Sequence, residues 1–351
     1  MKKLLPYIAI LALLAGGVAF FLYRYSPSTL AEKESEFAVR DVDAISKIVL
    51  TDVRSQKVTL TKEGNRWLVN GKYGINEESL ALLFTAIQKM ETQYPVPEKA
   101  QPVVLNDMAR KRFRCEIYTG GNKPTKVYYV GGPTADGTGT YVIMEIDGQP
   151  ASRPYVVHIA GINAYLTSRY YANEEYWRTK WVYRDNAATI KKLSVTYNFE
   201  KQKSFSLTRV GARDTFVITN SDGLADAQPR QRFIHQYLEF FDGLSLEAFE
   251  NTNPIKDTIL GMQPFCTIQM KRVDDTETNV EIFYMPVNEH SRQQFDDNGR
   301  KLLYDVEHYY IAMDGRKDFG LIQYYVWGKA LRTYQDFYVR PGVKQPTVAG
   351  H

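Results

Sequence analysis

Alternation of apolar and polar residues predicts short strands along much of this chain. The segments ISKIVLTD, KVTLTKEG and RWLVNGKY alternate in this way and are separated by turn residues, as in an antiparallel meander. A helix is predicted next, because Asn76 is a candidate N-cap and apolar residues then recur at the spacing of one helical face. That apolar set is Leu80, Leu83, Phe84, Ile87 and Met90. The prolines of YPVPEKAQP end the helix, and strands resume with RFRCEIY, TKVYYVGG, GTYVIMEI and PYVVHIAG.

The same order of elements occurs twice along the chain. ISKIVLTD corresponds to IKKLSVTY, KVTLTKEG to SFSLTRVG, RCEIY to CTIQM, TKVYYVGGP to TNVEIFYMP and GTYVIME to HYYIAMD. The apolar set of the helix recurs at one constant offset as Ile234, Tyr237, Leu238, Phe241 and Leu244. The repetition predicts an α+β fold made by tandem duplication of a β-β-β-α-β-β-β unit. We expect mainly antiparallel sheets with the amphipathic helices on one face.

The N-terminus has the pattern of a membrane anchor. Lys2 and Lys3 precede an apolar run from Leu4 to Tyr23, which has the length that a helix needs to span a bilayer. The apolar residues continue beyond the small residues of LAGG, which favours an uncleaved anchor over a cleaved signal. Because the two lysines outnumber Arg24, we expect the N-terminus on the cytoplasmic side and the rest of the chain outside.

These patterns predict five regions. Residues 1–24 are a transmembrane anchor, 25–40 a linker, 41–183 the first repeat domain, 184–340 the second, and 341–351 a flexible tail. The expected location is therefore the inner membrane, as a single-pass protein with its bulk in the periplasm. Whether the repeats are independent domains is left open.

Composition narrows the classes of function. In 351 residues, 44% are hydrophobic and 24% charged, as in a globular protein. The formal net charge of +4 is small and not concentrated in a basic run, so nucleic-acid binding has no electrostatic support. Cys115 and Cys266 lie in predicted strands and share a face with apolar residues. We interpret both as small buried hydrophobic residues, with a disulfide left open.

The sequence contains no catalytic motif that we recognise. The glycine-rich loop from Val130 to Thr140 leads into a strand and lacks the lysine of a phosphate-binding loop, so we predict a hairpin turn. No nucleophile elbow, zinc-binding histidine pair or Cys–His arrangement occurs. We therefore expect a protein that is not an enzyme and needs no cofactor or metal, although a site assembled from scattered residues stays open.

Several blocks in order resemble the DUF4340 family of domains of unknown function, in the form common in Bacteroidota. They are FAVRDVDAISKIVLTD, VTLTKEGNRWLVNGKYGINEESLALLFTAIQKM, YPVPEKA, KVYYVGGPTADGTGTYVIME and PYVVHIAGINAYLTSRYYANEEYWR, within residues 37–183. The resemblance implies an envelope protein with an N-terminal membrane segment. Some members are encoded beside, or fused to, auxiliary subunits of gliding-motility-like ABC transporters, which implies an accessory role. The family has no assigned catalytic residues.

One aromatic segment, GINAYLTSRYYANEEYWRTKWVYRD, is the strongest candidate for a functional surface. Its first part has a counterpart in GKALRTYQDFYVR, so we interpret it as a short helix that closes each repeat. The continuation from Glu174 to Asp185 has no counterpart and must connect the two halves. We predict that Trp177 and Trp181 pack where the halves meet. The candidate interaction seam is Tyr170, Tyr171, Glu175, Trp177, Arg178, Lys180 and Trp181.

Three functional hypotheses follow. The first is a periplasm-facing accessory or scaffold protein that binds partner proteins of an envelope assembly, with an ABC-type transport system as a candidate. The second is an envelope module that binds glycan, peptidoglycan or lipid through exposed aromatic rings. The third is an enzyme with a scattered site, which a pocket of converging titratable residues would support.

Overall fold

The structure, a computed structural model, describes residues 33–211, 215–225 and 230–337. The predicted anchor, the first half of the linker and the predicted tail lie outside these residues. No helix within the described ranges combines the length and the apolar character needed to cross a membrane. The chain divides into two compact units after Thr179, whereas the sequence placed the division after residue 183.

Unit 1 is an antiparallel sheet with two longer helices. Its strands are β1 (Lys47–Asp52), β2 (Lys57–Glu63), β3 (Arg66–Val69), β4 (Tyr73–Gly74), β5 (Met90–Pro95), β6 (Phe113–Tyr118), β7 (Lys126–Pro133), β8 (Thr140–Ile146), β9 (Gln149–Pro150) and β10 (Tyr155–Ile159). Their order is β4-β3-β2-β1-β6-β7-β8-β10-β5, with β9 paired to β8. The helices are α1 (Glu77–Lys89), α2 (Gln101–Arg110) and the short α3 (Glu174–Trp177), with a 3-10 turn at Thr167–Arg169.

Unit 2 repeats this arrangement. Its strands are β11 (Trp181–Arg184), β12 (Ile190–Tyr197), β13 (Phe205–Val210), β14 (Thr215–Asn220), β15 (Asp242–Ser245), β16 (Ala248–Phe249), β17 (Cys266–Arg272), β18 (Glu277–Pro286), β19 (Tyr304–Met313) and β20 (Asp318–Gln323). The helices are α4 (Gln231–Leu238), α5 (Lys256–Leu260) and α6 (Tyr324–Trp327), with 3-10 turns at Lys201–Lys203, Glu239–Phe241 and Tyr334–Phe337. The main sheet has the order β14-β13-β12-β17-β18-β19-β20-β16, and β11 pairs with β15 separately.

The two main sheets share one strand order. β3-β2-β1-β6-β7-β8-β10-β5 in unit 1 corresponds, strand for strand, to β14-β13-β12-β17-β18-β19-β20-β16 in unit 2. The expected α+β class with mainly antiparallel sheets is confirmed, since the pairings between these strands are antiparallel.

The prediction that the helices lie on one face is wrong. α1 packs on the face of the sheet that carries Val142 and Met144, where it helps to form the large core of unit 1. α2, which the sequence did not predict, packs on the opposite face against Ile143. In unit 2, α4 contributes to the large core and α5 to a smaller one on the other face. Each sheet is therefore covered on both faces, and α2 and α5 are additions to the predicted unit.

The predicted first helix is confirmed at its start. The side chain of Asn76 accepts hydrogen bonds from the backbone N–H groups of Glu78 (3.1 Å) and Ser79 (3.2 Å), as an N-cap does. The second helix is shorter than predicted. α4 ends at Leu238, so Phe241 lies in a 3-10 turn and Leu244 in β15, although both are buried in the core of unit 2.

Strand pairing also corrects the register of the repeat. Ile48 in β1 lies opposite Ile117 in β6, and its counterpart Leu193 in β12 lies opposite Met270 in β17. Cys115 therefore corresponds to Ile268, one residue away from the match between RCEIY and CTIQM. A slip of one residue would turn the apolar side chains to the wrong face of the sheet, so the buried face decides the register.

Candidate functional site

Five aromatic rings cluster at one end of the main sheet of unit 2. Phe265 and Tyr284 stack with 4.3 Å between ring centroids, and Tyr284 and Tyr304 with 4.7 Å; the planes differ by 21° and 25°. Tyr309 packs on Phe265 at 5.1 Å, and Tyr324 meets Tyr309 edge-to-face at 6.1 Å. We call these five residues the tyrosine surface.

The tyrosine surface is open to solvent at its outer rings. Phe265 is buried at its base, whereas Tyr284 is 37%, Tyr304 42% and Tyr324 51% exposed. Leu303, Val306 and Tyr325 lie within two residues of these tyrosines in sequence and are exposed as well. Burial raises the pKa of Tyr309 to about 12, so its hydroxyl is neutral and can donate a hydrogen bond at ordinary pH. Exposed apolar patches of this kind commonly mark an interaction site.

A bulge in β19 places Tyr304 over Tyr284. Tyr284 lies opposite Tyr309, and Pro286 lies opposite Tyr304. Two steps along β18 (284 to 286) therefore correspond to five steps along β19 (309 to 304), so three residues are extra. These residues bend β19 and return Tyr304 to the face that carries Tyr284. The ladder resumes beyond the bulge, where the N–H of Val287 donates to the carbonyl oxygen of Leu303 at 3.1 Å.

Asp305 closes this bulge from within. Its Oδ1 accepts the backbone N–H groups of Glu307 and His308, each at 2.8 Å, and the carboxyl group is almost fully buried. Burial opposes ionisation of Asp305. Hydrogen bonds from Ser291 and from those two backbone N–H groups outweigh it and hold the pKa of the carboxyl group below its ordinary value. Asp305 therefore acts as a charged acceptor that satisfies the backbone of the bulge.

The corresponding end of the sheet in unit 1 is built differently. The same register relates Phe265 to Arg112, Tyr284 to Gly132 and Tyr309 to Thr140, none of which is aromatic. β7 and β8 are joined there by a short turn, in which the N–H of Thr134 donates to the carbonyl oxygen of Gly139 at 2.9 Å. The hairpin predicted for the glycine-rich loop is thereby confirmed.

The structure distributes the seam residues predicted from the sequence over both units. In unit 1, Tyr170 and Trp177 are fully buried, and the indole N–H of Trp177 donates to the carbonyl oxygen of Tyr171 at 2.6 Å. Arg178 is also buried, with its guanidinium 3.6 Å from the ring centre of Tyr73. Glu175 lies in α3 and is partly buried.

Two seam residues belong to unit 2. Lys180 is exposed, and its Nζ donates to the carbonyl oxygen of Glu247 at 2.6 Å. Trp181 lies in β11 and is 48% exposed, with the guanidinium of Arg184 5.5 Å from its ring centre. Within their units, Trp177 is a core residue and Trp181 a surface residue.

The cysteines are buried thiols without a disulfide. Burial raises the pKa of Cys115 to about 12 and the pKa of Cys266 well above the usual range. Both side chains stay protonated at neutral pH, and a thiol in that state is a poor nucleophile. In the part of the chain that the structure describes, no three His, Cys, Asp or Glu side chains lie close enough to hold a metal ion.

A charged network in unit 1 joins the three neighbouring strands β6, β7 and β8. Arg114 makes a two-pronged ion pair with Glu145, at 2.7 Å on each side, and also bonds to Glu116. Tyr129 donates to Glu145 at 2.6 Å. The hydrogen bonds from Arg114 hold the pKa of the Glu145 carboxyl group below its ordinary value. Each partner is satisfied, so the network fits a structural role better than a catalytic one.

Comparison with family models, curated proteins and solved structures found no match to this chain.

Sequence reasoning missed the tyrosine surface. Tyrosines at strand spacing are usually half-buried packing residues, and nothing in the local pattern distinguishes Tyr284 or Tyr304 from such residues. One available signal was the second repeat itself. It carries 17 residues (287–303) between β18 and β19 where the first repeat has only six (134–139) between β7 and β8. A long insertion at one hairpin of a duplicated unit favours a functional loop.

Proposed function

We propose that this chain is a membrane-tethered, non-enzymatic accessory protein that binds a partner protein through the tyrosine surface of unit 2. The anchor and the periplasmic location are expectations from the sequence. The candidate partners are proteins of an envelope assembly, with an ABC-type transport system among them. The observation that carries the proposal is the exposed aromatic stack of Tyr284 and Tyr304 on the main sheet of unit 2.

Physical chemistry supports a protein partner for this surface. Tyrosine is enriched at protein interfaces because its ring buries a large apolar area while its hydroxyl still forms hydrogen bonds. The rings pack against one another before binding, so little side-chain entropy remains to be lost on association. The aliphatic side chains of Leu303 and Val306, both exposed, would extend the apolar contact.

Photo-crosslinking of the full-length chain in native membranes tests this proposal. Tyr325 is 90% exposed and adjoins Tyr324, so a photo-reactive amino acid placed there would report on a partner at this surface. Tyr94 in unit 1, also exposed, is the matched control position. We expect a discrete crosslinked protein from position 325 that is absent from position 94 and is lost in Tyr304→Ser. Equal products at both positions, or products unaffected by Tyr304→Ser, would count against the proposal.

The near-parallel stacking of Phe265, Tyr284 and Tyr304 favours a second candidate, a glycan. A column of rings that ends in an exposed tyrosine resembles a platform on which a sugar ring stacks. Co-sedimentation with purified peptidoglycan distinguishes the two. Retention that depends on Tyr304, without a crosslinked protein from position 325, would favour the glycan.

We also propose that the two units arose by duplication of one ancestral unit and that binding specialised in the second copy. The shared strand order supports the duplication. The aromatic rings at one hairpin of unit 2, and the small residues at the same place in unit 1, support the specialisation.

A further inference from the structure

Asp305, which closes the bulge beneath Tyr304, belongs to a row of three titratable side chains. Nδ1 of His308 lies 3.1 Å from Oδ1 of Asp305, and Nε2 of the same ring lies 3.4 Å from Oε2 of Glu247. Glu247 precedes β16, which pairs with β20 at the edge of the sheet. The imidazole of His308 therefore connects the bulge to this edge.

The protonation state of the imidazole decides how many of these contacts are hydrogen bonds. A neutral imidazole carries one N–H and can donate to only one of the two carboxylates. The imidazolium carries two N–H groups and can donate to both, and its positive charge then lies between two negative ones. Imidazole is the side chain that ordinarily gains its proton between about pH 5 and pH 8.

The other charged and titratable groups near these three side chains either have partners of their own or are neutral. Nζ of Lys180 bonds to the carbonyl oxygen of Glu247 rather than to its carboxylate. Arg292 pairs with Glu307 at 3.1 Å. Tyr310 and Tyr309 lie near Asp305, and burial raises the pKa of each, so both are neutral at these pH values. Asp305 and Glu247 are thus the anions in direct contact with the imidazole.

We propose that Asp305 and His308 are positioning residues for Tyr304, and that protonation of His308 tightens the bulge that holds Tyr304 in the stack. Asp305 fixes the backbone of the bulge through the N–H groups of Glu307 and His308. His308 fixes Asp305 and, once protonated, ties it to Glu247. The geometry of the bulge does not depend on the proposed function, but its effect on binding rests on that function.

Hydrogen exchange at the backbone N–H groups of Glu307 and His308 tests the proposal without any ligand. Protection factors of the full-length chain in detergent, corrected for intrinsic exchange, are compared at about pH 5.5 and about pH 8, on either side of ordinary imidazole titration. We expect protection to fall about two- to fivefold on going to the higher pH, as for the loss of one partly exposed ionic hydrogen bond. His308→Gln, which cannot gain a proton, is expected to abolish the pH dependence.

Two further variants make the outcome decisive. His158→Gln removes a partly exposed histidine of unit 1 and is expected to retain the pH dependence. Asp305→Asn is expected to lower protection of the two N–H groups at both pH values, while protection of the core N–H of Ile311 shows that the sheet is intact. A wild-type chain whose protection does not change with pH, or a pH dependence that persists in His308→Gln, overturns the proposal.

The consequence for binding is measured separately. Crosslinking from position 325 is repeated at the same two pH values, and a higher yield at the lower pH is expected. If exchange depends on pH as described but no partner is ever crosslinked, the proposed function fails while the positioning role stands. If a partner is crosslinked and exchange is independent of pH, the positioning role fails while the proposed function stands.

Discussion

Units 1 and 2 differ in the structure of one hairpin. This hairpin joins β7 to β8 in unit 1 and β18 to β19 in unit 2, which is the same place in the shared strand order. In unit 1, residues 134–139 form a short turn held by Thr134 and Asp136, whose side chains bond to each other at 2.5 Å. In unit 2, residues 287–303 form a long loop, and the strand beyond it carries a bulge and the stacked tyrosines. The same core is compatible with both forms of the hairpin, so a change of function at this hairpin needs no change in the core.

Buried charge pairs show the same contrast. In unit 2, Asp185 and Arg272 form a two-pronged ion pair at 2.7 and 2.8 Å, and Asp185 is almost fully buried. In unit 1, Arg114 corresponds in register to Thr267 rather than to Arg272, so the charged network with Glu145 occupies other positions of the sheet. The shared architecture therefore rests on apolar packing and strand order, and each unit has added its own polar contacts.

The largest expected effect is the loss of the buried pair in unit 2. Asp185→Ala leaves the guanidinium of Arg272 without its partner, and we expect a loss of about 3 kcal/mol in the free energy of unfolding of unit 2. Hydrogen exchange of unit 2 amides measures it. As a control, Asp275→Asn removes an exposed charge that pairs with Lys191 and should change that free energy far less, because solvent screens an exposed ion pair. Equal losses of unfolding free energy in the two variants would contradict the expectation that the buried ion pair stabilises unit 2 more than the exposed one.

The next effect concerns the tight turn of unit 1. A Cβ on Gly139 would lie 2.5 Å from Cγ1 of Val156, so Gly139→Ala is expected to cost about 1–3 kcal/mol through overpacking. Gly121→Ala is the control, because its Cβ would meet nothing closer than 3.9 Å. Chemical denaturation monitored on unit 1 distinguishes them. An unchanged stability in Gly139→Ala would mean that the turn of unit 1 can also accommodate larger residues.

A smaller effect is expected from the charged network of unit 1, and it depends on pH. The pKa of Glu145 is lowered in the folded state from 4.5, so the ion pair contributes stability above about pH 4.5 that is lost as pH falls through the folded-state pKa. Glu145→Gln should cost about 1–2 kcal/mol at neutral pH and less at low pH. Unfolding measured from pH 7 down to pH 2 tests this. A cost that does not shrink on acidification would assign the loss to packing.

The smallest expected effect on stability lies in the tyrosine surface. Removing one partly exposed ring from the stack, as in Tyr284→Ala, should cost about 1 kcal/mol for the lost aromatic pairing, in addition to the loss of buried area. Tyr94→Ala in unit 1 is the matched exposed tyrosine and should cost less. A loss several times larger in Tyr284→Ala would show that the stack supports the fold of unit 2, rather than serving mainly as a contact surface.

Much of the secondary structure could be predicted because each element carries its own pattern. Apolar alternation identified β1, β2 and β6, and the Asn76 cap and one-face spacing identified α1. α2 escaped prediction because it starts beyond two prolines, where the sequence indicates only the end of the preceding helix. α4 ended earlier than its apolar spacing suggested, since Leu244 is buried equally well from a strand.

By itself, the sequence determined the alternation of strands, the amphipathic face of the first helix and the recurrence of one pattern in two halves. These follow from local periodicity, which fixes the apolar side of an element. Only the tertiary structure decided that both faces of each sheet are covered, and that Cys115 corresponds to Ile268. It alone brought Tyr284, Tyr304 and Tyr324 together from three separate elements. Periodicity cannot supply these facts, because the partner of an apolar face, and the bulge that returns a ring to that face, depend on residues distant in the chain.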